Sequence, residues 1–217
     1  MLELAVKSLI GYLLGSLMGA LLLGALRGVD IRTLGSGNAG GTNALRTQGK
    51  LFALGVVVID VAKGWFAARV LPGLELPAIG IDPTLGRGWL AAACAAGATL
   101  GHVYPVWWEF RGGKGAATIV GVLLGLEPRL LAPVLGVWLL VVMLTGFVGL
   151  GTMLAVAVLP VATRLLVPQQ AALFAFALAM TALVVYTHRG NIARMRAGTE
   201  NRARRLWLLR PRAAERG

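Results

Sequence analysis

Apolar residues gather along the chain into long unbroken runs, separated by short connections rich in glycine or charge. A helix needs about 20 apolar residues to cross the hydrocarbon core of a bilayer, with a range of roughly 17–25. Residues 4–26 form the first such run, apolar apart from Lys7, and it is too long for a removable signal peptide and lacks a small-residue cleavage site. Residues 51–71 form a second that carries Asp60 and Lys63, and residues 89–108 a third with His102 near its end. Residues 115–126 then supply only a short apolar stretch before Glu127, Pro128 and Arg129, which suits either a short span or a re-entrant helix. Residues 130–166 are long enough for two spans that fold back at Gly146, Gly149 and Gly151, and residues 171–187 make the last.

Composition supports the membrane reading. The 217 residues are 57% hydrophobic, and the mean hydropathy is +0.76, beyond what an ordinary soluble domain carries. Disorder is excluded on the same ground. Only 14% of residues are charged, yet 21 Lys and Arg against 9 Asp and Glu give a net charge of +12. Those cations cluster: connections 27–50 and 109–114 and the end from His188 carry four, two and nine Lys or Arg, while 72–87 and 127–129 carry one each. Basic connections stay cytoplasmic. Seven spans with the N-terminus outside put all three basic stretches on that side, so charge parity favours a real fourth span. The expectation is an all-α polytopic integral membrane protein with seven transmembrane helices, N-terminus outside and C-terminus cytoplasmic. Residues 1–200 are read as a single transmembrane domain and 201–217 as a basic cytoplasmic tail, with Arg202–Arg216 lying on anionic headgroups.

Small residues four apart, at Gly11, Gly15 and Gly19, at Ala93, Gly97 and Gly101, and at Gly121 and Gly125, read as helix-packing positions. No long internal repeat is visible. One cysteine, Cys94, provides neither a disulfide framework nor a thiol metal cluster.

Two connections carry unusual chemistry. The first is Gly35-Ser36-Gly37-Asn38-Ala39-Gly40-Gly41-Thr42-Asn43, followed by Arg46. Such a backbone can turn its N–H groups inward as an anion-holding nest, and the Arg46 fork suits phosphate oxygens; the bland alternative is a flexible polar turn. The second, Phe110-Arg111-Gly112-Gly113-Lys114-Gly115, fails the Walker pattern, because Gly115 follows the lysine where Ser or Thr should hold magnesium and no strand precedes it. Nucleotide hydrolysis is disfavoured. The glycines are expected to leave backbone amides free, a helix beginning near Gly115 points its positive end at the loop, and Lys114 adds a full charge, so an anion is expected there. The last span ends in His188-Arg189-Gly190-Asn191, three residues apart and on one face if the helix continues. His188 is either a helix-end satisfier or a base, Glu200 most simply a structural ion-pair partner, and Asp60 with Lys63 either a buried pair or a substrate contact.

In this order, GSGNAGGTN with Arg46, DVAKG from Asp60, GHVYPVWWEFRGGKGAAT from Gly101 and HRGNIARMRAGTE from His188 closely resemble the bacterial acyl-phosphate-dependent glycerol-3-phosphate acyltransferases of the inner membrane. The resemblance runs from the first span to Glu200. It implies seven spans with the motifs facing the cytoplasm. The implied reaction transfers a fatty acyl group from acyl phosphate to the 1-hydroxyl of glycerol 3-phosphate, giving lysophosphatidate and phosphate, the first step of phospholipid synthesis. Ser36, Arg46, Lys114, His188 and Asn191 are the implied catalytic positions. Gly37, Asn38, Thr42, Asn43, Gly112, Gly113 and Gly115 are candidates for holding substrate, and Asp60, Lys63 and Glu200 are structural. In the third cytoplasmic turn, where many relatives carry Arg and Ser, this chain reads Thr145-Gly146-Phe147-Val148-Gly149-Leu150-Gly151-Thr152, so any donor contact there falls to backbone amides and Thr152.

Acyl phosphate is already activated, so no cofactor is expected, and two His without partnering acids or thiols make no metal site. The expected partners are glycerol 3-phosphate, fatty acyl phosphate, membrane lipids and a soluble enzyme that makes acyl phosphate; no nucleic acid is expected. Direct attack by the glycerol hydroxyl is favoured over an acyl-enzyme, because Ser36 has no base beside it in sequence and Cys94 lies inside a span. Either His188 or a phosphate oxygen could take the proton. The competing class is an organic-phosphate transporter, which would also want basic residues and glycine nests at helix ends.

Overall fold

The computed structural model describes residues 1–77 and 79–209. Over them the regular elements are helices: α1 (Leu2–Gly15), α2 (Gly19–Ala25), α3 (Gly41–Gln48), α4 (Lys50–Trp65), α5 (Arg87–Val103), α6 (Ala116–Leu126), α7 (Leu131–Thr145), α8 (Val148–Leu166), α9 (Ala171–Thr187) and α10 (Arg189–Arg196). Each apolar run of the sequence forms helix over most of its length. Three stretches, Lys50–Gly73, Pro128–Thr145 and Val148–Leu166, are long and apolar enough to cross a membrane. Two bent pairs, α1 with α2 and α9 with α10, each turning by 48°, raise the number to five. The third and fourth runs fold as shorter helices, of 17 residues in α5 and 11 in α6.

The first run was expected to be one continuous helix, and it is broken at Ser16–Met18. The second run supplies the reason. Lys63 Nζ donates to the Leu17 carbonyl at 3.0 Å, and the Gly19 N–H donates to Asp60 Oδ1 at 3.3 Å. Backbone groups released inside an apolar layer must be satisfied within the protein, and these two charges do it. Lys7 is handled likewise: fully buried, it is 2.7 Å from Glu3 and donates to the Pro72 carbonyl at 2.9 Å, and Arg87 reaches the same carboxylate at 2.9 Å.

The chain divides into two compact units, Met1–Arg129 with Gln169–Phe176, and Leu130–Pro168 with the chain from Ala177. In the first, α1 lies along α5 through reciprocal glycines. A methyl on Gly15 would stand 2.1 Å from the Ala98 carbonyl oxygen, and one on Gly101 would stand 2.0 Å from that of Tyr12. Helices α4 and α6 meet in the same manner at Gly64 against Thr118 and Gly121 against Val61. Where lipid supplies no hydrophobic drive, such close backbone approach is what holds helices together.

In the second unit α7 and α8 pack side by side, joined by a turn at Gly146, which takes the left-handed conformation at φ +75°. Pro160 sits inside α8 and cannot donate to the Val156 carbonyl. The Thr181 hydroxyl of α9 lies 2.9 Å from that oxygen and 2.8 Å from the Ala177 carbonyl, so its one proton is shared between them and partly replaces the missing donor. The chain beyond α10 returns to the turn: Ala203 N–H donates to the Gly146 carbonyl at 2.7 Å, and Arg202 stacks on Phe147 at 4.3 Å and on Trp207 at 4.2 Å. Arg202, expected among the headgroup-bound residues, is exposed and makes this aromatic stack; residues 210–217 of the basic tail lie outside the described residues.

Candidate active site

The first glycine loop is braced by Asn43. This side chain is 1% exposed; its Oδ1 accepts the Ser36 N–H at 2.9 Å, and its Nδ2 donates to the carbonyls of Leu34 at 2.9 Å and Ile31 at 3.2 Å. Asn43 was read as a substrate contact, and the structure instead commits its amide to the loop. Ser36, Gly37 and Arg46 are left exposed, with Thr42 and Arg46 on α3.

Arg32 ties this loop to the next. Its guanidinium grips Asp30, with Nη2 to Oδ2 at 2.8 Å, and donates from Nη1 to the Trp108 carbonyl at 3.0 Å. The hydrogen bonds from Arg32 hold the Asp30 carboxyl below the usual carboxylate range and raise the guanidinium in turn.

The second loop rests on the end of α5. Gly112 N–H donates to the Val103 carbonyl at 3.2 Å and Gly113 N–H to that of His102 at 3.0 Å. These two amides were expected to face an anion, and they are used internally. The glycines serve closeness instead: a methyl on Gly112 would lie 2.2 Å from the His102 carbonyl oxygen, and one on Gly113 would lie 2.2 Å from His102 Nε2. Gly115, at φ +90°, starts α6, so Lys114 stands just ahead of the positive end of that helix.

Both loops open on one cavity of about 460 Å³. Asn38, Thr42, Lys50, Asp60, His102 and Lys114 supply its polar lining, and Leu45, Leu54, Val57, Ala53, Ala116 and Ala117 its apolar lining. Of the residues expected from sequence, Asn38, Thr42, Lys114 and Asp60 reach it; Ser36, Gly37, Arg46 and Gly115 lie in the same loops and helix ends but not in its wall. Sequence reasoning missed Lys50 and His102. The signal for His102 was its place, ten residues ahead of the second loop's glycines and inside the same motif.

His188, Asn191 and Glu200 belong to the second unit. Helix α9 stops at Thr187 and His188 caps α10, so His188 and Asn191 do not share one continuous helix. His188 Nδ1 lies 2.8 Å from the Val184 carbonyl, which can only accept, so that nitrogen carries the proton. Asn191 Nδ2 donates to Glu200 Oε1 at 2.8 Å, and Arg194 pairs with Oε2 at 2.7 Å. A methyl on Gly149 would meet Asn191 Nδ2 at 2.9 Å. The Thr152 hydroxyl donates to the Val148 carbonyl at 3.0 Å. Among the described residues, no group of three or more His, Cys, Asp or Glu is placed to hold a metal ion.

A family model described as glycerol-3-phosphate acyltransferase matches residues 5–198. This chain belongs to that family. Members similar to it include a glycerol-3-phosphate acyltransferase of Agrobacterium fabrum, 39% identical with 92% of this chain and 91% of the relative covered, and one of Geotalea daltonii, 40% identical with 88% and 92% covered. Among solved structures the acyltransferase fold is similar to PlsY (YgiH), an integral membrane glycerol 3-phosphate acyltransferase. Its glycerol 3-phosphate form gives a TM-score of 0.78 at 31% identity, covering 92% of this chain and 94% of that one. Its lysophosphatidic acid form gives 0.75 at 30% identity. With these relatives and its apolar helices, the chain is an integral membrane acyltransferase.

Proposed function

We propose that the chain acylates the 1-hydroxyl of glycerol 3-phosphate with acyl phosphate as donor, releasing lysophosphatidate and inorganic phosphate. Acylation of glycerol 3-phosphate follows from the family, whose solved member is known in forms with that substrate and with lysophosphatidic acid. The observation that carries the reading here is the cavity. It combines two lysines, Lys50 and Lys114, and the Asn38 and Thr42 side chains with an apolar wall from α3, α4 and α6, a lining suited to a phosphate joined to a lipid tail.

In the proposed reaction the glycerol oxygen attacks the acyl carbonyl carbon, the bond from that carbon to the bridging phosphate oxygen breaks, and phosphate leaves with the electron pair. The hydroxyl proton passes to a phosphate oxygen. Lys114 and the start of α6 offset the negative charge that gathers on the carbonyl and leaving group, and Arg46 and Ser36 assist from the neighbouring loop. The reaction uses no cofactor or metal. Gly37, Asn38, Thr42 and Gly115 shape the substrate site, and Glu200 braces Asn191.

Residues 1–200 act as one transmembrane domain in the bacterial inner membrane, with seven spans, the N-terminus outside and the site facing the cytoplasm; residues 201–217 form a basic cytoplasmic tail. A soluble enzyme supplies the acyl phosphate. Purified protein in detergent, given radiolabelled glycerol 3-phosphate and either palmitoyl phosphate or palmitoyl-CoA, tests the donor. Lysophosphatidate from the phosphate alone is expected; transfer from the thioester alone would overturn the donor assignment.

A further inference from the structure

Asp60, Lys63 and His102 are 1%, 8% and 2% exposed, and none is used in the reaction proposed above. They form one cluster. Asp60 Oδ1 is 2.8 Å from Lys63 Nζ; His102 Nδ1 lies 3.5 Å from the same oxygen, and both that nitrogen and Asp60 Oδ2 are buried without a hydrogen-bond partner. Ionisable groups inside an apolar layer are costly, and ion pairing alone is a weak reason to keep them, because apolar replacements of similar volume are often as stable.

What the cluster touches gives a better reason. On one side Lys63 and Asp60 bind the broken backbone of the first run at Leu17 and Gly19. On the other, the His102 ring lies directly under Gly113, so close that no methyl fits between them, and the His102 carbonyl takes the Gly113 N–H. Gly113 is the residue before Lys114. A lysine is a point charge on a flexible stem, here carried by a glycine-rich loop, and charge stabilisation works only when the charge is held in place. Asp60 and His102 also line the cavity into which Lys114 faces.

We propose that Asp60 and His102 are positioning residues: the Asp60 carboxylate faces the buried His102 ring across 3.5 Å and orients it electrostatically, the ring sets the height of Gly113, and Lys114 is thereby aimed at the phosphate. The inference rests on reading this cavity as the phosphate-holding site.

The test is a binding cycle, read by calorimetry of glycerol 3-phosphate with protein in detergent, for wild type, Asp60→Asn, Lys114→Ala and the double variant, with His102→Ala alone and on Lys114→Ala as a second cycle. Asp60→Asn and His102→Ala should each weaken binding about tenfold when Lys114 is present, and by less than about twofold when it is absent, since contacting residues couple and distant ones add. Thermal midpoints are recorded beside these, because a purely structural role would lower the midpoint without coupling to Lys114. Equal losses in both backgrounds, or wild-type binding by the single variants, would overturn the positioning role. If Asp60→Asn fails to fold, the His102 cycle decides alone by the same criterion. Wild-type protein that binds no glycerol 3-phosphate would overturn the reading of the cavity itself, and the inference with it.

Discussion

The side-chain amide of Asn43 closes on the backbone of Ser36, its Oδ1 accepting the Ser36 N–H at 2.9 Å while its Nδ2 serves two carbonyls. Asn43→Ala strands these buried groups and should cost about 1–3 kcal/mol of stability, the usual penalty for unsatisfied partners. Asn43→Asp keeps the acceptor but turns a carboxylate on two carbonyl oxygens, and should be at least as damaging. Ser36→Ala leaves the bond intact because the donor is the main chain; it should lower turnover with the thermal midpoint unchanged. Thermal unfolding and initial rates on the three variants check this.

Glycines divide by what a methyl would meet. Gly101→Ala drives a methyl to 2.0 Å from the Tyr12 carbonyl oxygen and forces α1 and α5 apart, whereas Gly136→Ala meets nothing within 4 Å. Overpacking of this kind costs about 1–3 kcal/mol, so Gly101→Ala should melt clearly below wild type. Gly136→Ala should stay within about 0.5 kcal/mol of it. Similar midpoints for the two would contradict the packing described.

Thr181→Val removes the hydroxyl that meets the carbonyl freed by Pro160. Hydrogen bonds of this kind within membranes are worth about 0.6–1.7 kcal/mol. A loss in that range is expected, and Thr181→Ser should restore it.

Asp30 makes the acid side of the stability curve readable. Its carboxyl is held below its ordinary value of 3.8 by Arg32, so the contribution of the pair is complete above that value and is lost as pH falls through the lower folded one. Thermal midpoints taken from pH 7 down to pH 3 should fall for wild type at the acid end. Asp30→Asn should start lower and show a smaller acid-side fall, because it lacks the titrating partner.

Much of the helical framework was legible in the sequence, because apolar runs of span length report themselves directly. The turn at Gly146 and the short helix after Gly115 could be read from glycines alone. The break at Ser16–Met18 could not, since it contains no proline and depends on Lys63 and Asp60, more than forty residues away. The composition of the loops, glycines with Arg46 and Lys114, is what raises the expectation of an anion site. Yet a glycine or an asparagine in such a loop reads the same whether it faces the ligand or braces the backbone, and only geometry assigned Gly112, Gly113 and Asn43 to bracing. His102 was hidden for a related reason: its role lies in what its ring supports, which no local spacing reveals.

Lys114 in the cavity wall is the centre of the account. Its most direct test is the turnover of lysophosphatidate by Lys114→Ala beside wild type, at equal protein and with matched thermal midpoints. Removing one preorganised charge stabiliser costs about 100-fold or more in rate, and that loss is expected here, with Arg46→Ala behaving likewise. Near-normal turnover by a folded Lys114→Ala protein would contradict it.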